Sequence, residues 1–371
     1  MTRPTAVKGP GLPAAGRGLA QLPDPRLPGL DAFRGLLALA VAAYHLSVWW
    51  GVWPSGSFMN MAFARLGNYG VSAFFLLSGF LLARQSPWAS IAREGLGRYA
   101  LRRWLRLAPL FYLAVFLNLV FRLGMGPEGS PRMIAENLTL VFGAIHPNHA
   151  LVTGGWYVGL VSLAFAAWPA VAWLRSRLGW GVIVALATGL LLWSLPWSLQ
   201  RVPGSDLANR FHTYVQPGNQ LLLLGLGALL AELHARIPRR LRFAATAALA
   251  LPLLAVLLWP TPRFYDHFDV LMGAVRYKYI LVVTGLLLLA ALQGRTPGWS
   301  GRILGKVGAW SYGIYLLHPF GHRLLVGLGL GSGNPWIPFL LSMALAVGFG
   351  ALAHRFLEEP LGRLGSKRRA S

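Results

Sequence analysis

Two histidines stand in stretches otherwise suited to the interior of a membrane. His45 follows Arg34 by eleven residues in the segment that opens Leu30-Asp31-Ala32-Phe33-Arg34-Gly35. His318 precedes Pro319 in Ser311-Tyr312-Gly313-Ile314-Tyr315-Leu316-Leu317-His318-Pro319. Ionisable groups are costly inside an apolar helix, so each is a functional candidate by default. At a rise of about 1.5 Å per residue, Arg34 and His45 are about 16 Å apart along a helix axis, one near an interface and the other at depth. Pro319 frees backbone carbonyls in the turn before it and places a second imidazole at depth. A third group, Arg102-Arg103-Trp104-Leu105-Arg106, sets Arg103 and Arg106 three apart on one helical face, able to grip a phosphate from two sides. Plainer roles stay open: Asp31 as a helix cap, Arg34 snorkelling to headgroups, His45 bonded to a neighbouring helix, the arginine run as surface charge.

The elements that position these groups are read as membrane helices. Of 371 residues, 55% are hydrophobic and 12% charged, and 34 Lys+Arg against 11 Asp+Glu give a formal net charge of +23. The charged share is half the roughly 25% of a soluble domain. Such hydrophobicity excludes a disordered chain, and a nucleic-acid binder would gather its basic residues on a polar surface. With no cysteine, a disulfide scaffold, thiol catalysis and thiolate metal sites are excluded. No metal site is read from the remaining residues.

A helix that crosses the hydrocarbon layer takes about 20 mostly apolar residues. Ten stretches meet that need, at roughly 30–52, 68–84, 107–124, 154–173, 179–197, 217–235, 243–259, 275–293, 307–327 and 335–356. The expected fold is therefore all-α, a polytopic membrane protein with about ten transmembrane helices. Residues 1–28, rich in Pro and Gly, read as a disordered cytoplasmic tail, 29–363 as the transmembrane domain and 364–371 as a basic cytoplasmic tail. Alternating the spans from a cytoplasmic N-terminus puts most Lys and Arg on the cytoplasmic side, while acidic residues divide evenly. Both termini are therefore expected in the cytoplasm. The same asymmetry explains the net charge with the lipid bilayer as partner and no nucleic acid.

Taken in order, the segments resemble acyltransferase family 3, integral-membrane acyltransferases that modify cell-surface sugars and some secreted metabolites. The resemblance rests on Leu30-Asp31-x-x-Arg34-Gly35 with the Arg34-to-His45 spacing, and on Tyr69-Gly70-Val71 with Phe74-Phe75-Leu76-Leu77-Ser78-Gly79-Phe80-Leu81. Arg102-Arg103-x-x-Arg106, Ser311-Tyr312-Gly313-x-Tyr315-Leu316-x-His318 and Glu359-Pro360 are similar too, so the likeness runs from about residue 29 to 363. One departure stands out: the family's fourth helix usually has Trp-Ser-x-x-x-Glu. Here Trp156 is followed by Tyr157, and Val161 takes the place of the Glu. A carboxylate partner for His45 would then have to come from a loop residue such as Asp266 or Asp269.

The resemblance implies acyl transfer, most often of acetyl, from cytoplasmic acyl-CoA to a hydroxyl of an acceptor reached from the membrane or its far side. Acyl-CoA, acetyl-CoA in the first instance, is the implied donor substrate, with no tightly bound cofactor. Arg102, Arg103 and Arg106 would hold the CoA phosphates, the pantetheine arm would pass Arg34, and His45 would take the hydroxyl proton as general base. Asp31, Asn68, Tyr157, Tyr315 and His318 are candidate orienters, with Ser162 a further neutral group for His45. The implied acceptor is sugar-containing, and the host a bacterial inner membrane. Loops near 198–216 and 260–276 carry aromatic and polar residues suited to sugars, among them Tyr214. A transporter or flippase for a glycosylated acceptor, and a non-catalytic relative, are the alternatives.

Overall fold

A computed structural model describes residues 27–121, 123, 129–199, 207–242, 244–245, 248, 273–292 and 298–366. Most of the expected span 243–259, the tail before residue 27, residues 367–371, Asp266 and Asp269 lie outside the described residues. All regular structure among the described residues is helical.

The chain enters α1 (Pro28–Trp49) with Pro28 in the first turn, where a missing N–H costs nothing. α2 (Phe58–Gln85) starts ten residues ahead of the expected 68, because Ser57 caps it by accepting from the Asn60 N–H at 3.2 Å. A short α3 (Trp88–Glu94) ends at Gly95, whose positive φ breaks the helix before α4 (Leu96–Phe121). α4 takes in the whole arginine run, which lies within the helix and not ahead of it. Next come α5 (Pro131–Leu138), α6 (Phe142–Ile145), a 3₁₀ turn at Pro147–His149 and α7 (Gly155–Leu178). α8 (Gly181–Leu199), α9 (Leu207–Tyr214) and α10 (Pro217–Arg236) follow. α11 (Gly273–Leu292), α12 (Gly298–Gly327) and α13 (Trp336–Ala353) complete the long helices, and a π turn at His354–Glu358 leads into α14 (Glu359–Ser366).

Among the described residues five helices have the length and apolarity to cross a membrane: α1, α2, α4, α7 and the run Trp336–Gly365. Gly181–Pro196 and Ile280–Leu292 are shorter apolar helices. The protein is an integral membrane protein built of helices.

Small residues set the helix directions. Gly35 of α1 meets Gly308 of α12, and His45 meets His318 further along, so these two helices run parallel. A Cβ on Gly308 would sit 1.9 Å from the Asp31 carbonyl oxygen, so no larger residue fits. Gly79 abuts Leu224 while Gly227 abuts Leu76, which makes α2 and α10 antiparallel. Gly313 on Gly350 and Gly321 beside Leu345 make α12 and α13 antiparallel. Such close approaches favour association between helices whose apolar faces gain little by leaving lipid. Between them lies a core of fully buried side chains that includes Val41, Phe75, Phe80 and Ile314. Glu232, in the last turn of α10, is wholly buried between Arg175 of α7 and Arg236, with N–O distances of 3.1 and 2.9 Å. It sits at a helix end and does not approach His45.

Candidate active site

α12 delivers His318 and, through Pro319, the group that orients it. Proline has no N–H, so the carbonyl of Tyr315, four residues earlier, loses its helical donor. His318 Nδ1 lies 2.7 Å from that carbonyl oxygen, which can only accept. With neutral rings the proton is therefore on Nδ1, and Nε2 of His318 is an acceptor. His45 Nδ1 lies 3.1 Å from it and donates. This relay assigns the lone pair of His45 to its Nε2. The two rings stack at 5.0 Å and 15°, and Trp49 stacks on both, at 5.3 Å from His45 and 5.7 Å from His318. α7 shows the same device: Pro169 frees the Phe165 carbonyl, which accepts from the Tyr99 hydroxyl at 3.0 Å.

His45 lines a cavity of about 230 Å³ together with Asn68, Asn148, Gly154, Tyr214 and Tyr315. Its wall is pinned where the Tyr315 hydroxyl donates to the Gly154 carbonyl at 3.0 Å. Gly154 has a φ of +79°, and an added Cβ would meet that hydroxyl at 2.9 Å, so both backbone and neighbour require glycine there.

At the opposite end, where α1 begins, a hollow of about 780 Å³ gathers Arg34, Arg84, Arg102, Arg103 and Arg106. Asp31, Glu358 and Glu359 share its wall, leaving the guanidinium groups in excess. Arg34 donates to the Ser311 hydroxyl at 3.0 Å, with Asp31 at 4.0 Å. Arg102 reaches Glu94 at 2.5 Å, while its Nε is buried without a hydrogen-bond partner among the described residues. Arg103 donates to Ser86 and lies over the Phe165 ring at 4.9 Å. Arg106 is exposed and makes no side-chain hydrogen bond or ion pair among the described residues. Guanidinium groups held in this way are suited to phosphate.

A narrow hollow of about 80 Å³ lies between these two ends, lined by Arg34, Arg106, Ser78, Tyr157, Val161 and Tyr315. Arg34 and Arg106 belong to both this neck and the basic hollow, and Tyr315 to both the neck and the His45 cavity. Tyr157 is 2.7 Å from the Ser78 hydroxyl and also donates to the Phe74 carbonyl. A separate apolar recess of about 790 Å³, walled by Trp88, Trp104 and Trp173, touches the path only at Arg103, Leu107 and Phe165.

The structure thus brings together two of the sequence-derived groups, His45 with His318, and Arg34 with Arg102, Arg103 and Arg106. Asn68 shares the His45 cavity, while Asp31 stays with Arg34 at the far end. Two expectations need correction. Tyr157 does not orient His45, since its hydroxyl is taken up by Ser78 and Phe74. Ser162 bonds back to the Val158 carbonyl at 2.8 Å, as a helical serine does when no other acceptor is near. At the terminal motif, Glu359 pairs with Arg363 at 2.5 Å and Glu358 faces His354 at 3.5 Å inside the π turn. Sequence reading missed Arg84 as a lining residue and Ser78 as the partner of Tyr157. It also missed a cluster of Glu136, His146 and His149 beside the His45 cavity. The His-x-x-His spacing of the last two was the available signal.

Membrane-length apolar helices around a basic hollow, a tyrosine-lined neck and paired imidazoles define an integral membrane protein with a row of interior cavities that share lining residues. The chain belongs to the acyltransferase family whose model, described as an acyltransferase domain, matches residues 27–355, and it is an acyltransferase. It is 27% identical over 377 residues to acyltransferase MdmB of Streptomyces mycarofaciens, covering 93% of this chain and 94% of that protein. It is 24% identical over 380 residues to peptidoglycan O-acetyltransferase OatA of Listeria monocytogenes, covering 91% of this chain and 56% of that one. The chain therefore spans little more than half of the second relative. No solved structure matches it.

Proposed function

We propose that the protein moves an acyl group, acetyl in the first instance, from cytoplasmic acyl-CoA to a hydroxyl of a sugar-containing acceptor. In this reading about ten helices cross a bacterial inner membrane, both termini are cytoplasmic, and the basic hollow opens to the cytoplasm. The observation that carries it is the shared lining of the three hollows, from five arginines at one end to the imidazole pair at the other. The arginines hold the CoA phosphates, and Arg34, at the mouth of the neck, steers the pantetheine arm inward. The acceptor enters the His45 cavity from the far side.

His45 Nε2 takes the hydroxyl proton as the oxygen attacks the thioester carbonyl. The C–S bond then breaks, and the departing CoA sulfur takes the proton from His45. His318 holds the tautomer that leaves Nε2 basic, a role a carboxylate fills elsewhere. The names of the two relatives, an acyltransferase and an O-acetyltransferase, support the reaction class.

The test is transfer of label from radiolabelled acetyl-CoA by purified protein, compared with His45→Ala. Loss of a general base should slow turnover by about 10²–10⁴-fold. An inserted, folded Ala variant that keeps half the wild-type rate removes His45 from the mechanism. Mass spectrometry of surface glycans and exported metabolites, with and without the gene, identifies the acceptor.

A further inference from the structure

Glu136 of α5 and the two histidines His146 and His149 each offer one ligand atom, and these atoms all lie within 4.8 Å of one another. His149 Nδ1 is 2.8 Å from one carboxylate oxygen and His146 Nδ1 is 3.3 Å from the other. The imidazoles stack at 4.5 Å and 18°, so both nitrogens face the carboxylate from the same side. Nothing in the acyl-transfer reading uses this cluster.

Three features separate it from an ordinary surface ion pair. Glu136 is buried, with 8% of its surface exposed, which is an expensive place for a carboxylate. His146 Nδ1 is itself buried and has no hydrogen-bond partner among the described residues, although it is aimed at Glu136. The scaffold is also rigid. Asn137, fully buried, donates to the Met133 and His149 carbonyls at 2.8 Å each and accepts from the Leu151 N–H at 3.1 Å. That fixes the histidine turn to α5 whatever the side chains do. Gly143 meets Gly159 of α7 with no room for a Cβ, which fixes α6 and hence His146.

We infer that Glu136, His146 and His149 form a binding site for a divalent cation of the zinc class. The donor set is one carboxylate oxygen and two imidazole nitrogens, which suits zinc and its neighbours and does not suit the oxygen-seeking calcium or magnesium. Bonds of about 2.0–2.1 Å in a tetrahedral site place ligand atoms about 3.4 Å apart. His146 Nδ1 stands at about that distance from Oε1, at 3.3 Å, while His149 Nδ1 faces Oε2 at 2.8 Å, so a rotation of the carboxylate or of His149 brings one oxygen to serve both. Arg132, whose Nε donates to Glu136 at 2.8 Å, then serves as the outer partner of a ligating carboxylate. Because Pro147 and Asn148 between the histidines line the His45 cavity, the cation staples a wall of that cavity.

The test uses the full-length protein in detergent with its affinity tag removed. It is stripped with chelator, equilibrated with Zn²⁺ or Co²⁺, desalted and assayed for metal by mass spectrometry. About one metal per chain is expected, with visible absorption from Co²⁺ of the tetrahedral type. His146→Ala and His149→Ala should each weaken binding at least tenfold, and Zn²⁺ should raise the melting temperature of wild type but not of the variants. His146 is partly exposed and outside the core, so its variant should fold, and tryptophan fluorescence checks that it does. Wild-type protein that retains no stoichiometric metal overturns the inference. So does a His146→Ala/His149→Ala protein that binds metal as wild type does.

Discussion

Replacing His318 by Phe keeps a flat ring beside Trp49 and His45 but removes the acceptor that faces His45 Nδ1 at 3.1 Å. His45 then keeps only the carbonyl of Val41, one turn earlier, as an acceptor, or shifts its proton to Nε2 and loses its basic nitrogen. Loss of one of its two hydrogen-bond acceptors costs about 0.5–1.5 kcal/mol. If that cost falls on the reactive tautomer, turnover drops about 2–13-fold at about 1.4 kcal/mol per decade. The basic hollow proposed to hold the acyl donor lies at the other end of the bundle, so KM for the donor should stay within about twofold while kcat falls. The assay is label transfer in proteoliposomes over a range of donor concentration, run on His318→Phe, His45→Ala and the double variant. Since His318 acts only through His45, the double variant should be no slower than His45→Ala. A His318→Phe protein within twofold of wild type in kcat refutes the relay. Effects that multiply in the double variant refute it equally, because they show His318 acting on its own.

Pro319→Ala should return a helical donor to the Tyr315 carbonyl and compete with His318 for it, so thermal stability should rise while turnover falls several-fold. A rate that is unchanged with a higher melting temperature would show that the freed carbonyl does not matter. Arg106→Ala should weaken CoA binding by about 1.5–3 kcal/mol, or about 10–150-fold, without loss of fold, since the side chain is exposed and otherwise unengaged among the described residues. Isothermal titration with CoA checks this, and wild-type affinity in the variant would reduce Arg106 to topological charge. Glu232→Gln should lower stability by roughly 3 kcal/mol, the low end for breaking a buried ion pair because Arg175 and Arg236 are partly exposed. A melting temperature equal to that of wild type would rule that out.

Much of the site was legible because membrane burial makes polar residues conspicuous. Arg34, Arg102, Arg103, Arg106, His45 and His318 each stood out against apolar neighbours, and each lines one of the three hollows or, for His318, is bonded to a residue that does. What sequence could not show is the pairing across 273 positions that joins His45 to His318. That pairing depends on α1 and α12 running parallel in one register, which is set by the contact of Gly35 with Gly308. The starts of α2 and α12 were misplaced for a different reason. Hydropathy sees only the apolar middle of a helix, whereas capping by Ser57 and the polar first turns of Gly298–Gly327 extend the backbone helix beyond it. The His-x-x-His spacing hinted at His146 and His149, but Glu136 lies ten residues before His146, and only the folded turn brings it to them.

Among the described residues no carboxylate lines the His45 cavity, and the course of the path accounts for it. Val161, 1% exposed, lines the neck among Phe74, Tyr157 and Phe165, and an ionised acid there would lose its hydration, with Arg34, Arg103 and Arg106 in the same lining. A backbone carbonyl carries no net charge, so its burial costs far less, and it can still fix the tautomer of an imidazole. Pro319 supplies such a carbonyl at the depth where His318 needs it, and His318 passes the orientation on to His45. Arginines are thereby gathered in the basic hollow and the neck, where phosphate is suited to compensate them, while among the described residues the His45 cavity is lined by no Asp, Glu, Lys or Arg. Val161→Glu separates this division of labour from a merely missing acid. If the relay suffices, the variant gains no activity and loses stability, since the new carboxylate meets the arginines of the neck and not His45. A faster enzyme from Val161→Glu, measured by label transfer at equal amounts of folded protein, would show instead that the imidazole pair is an incomplete base.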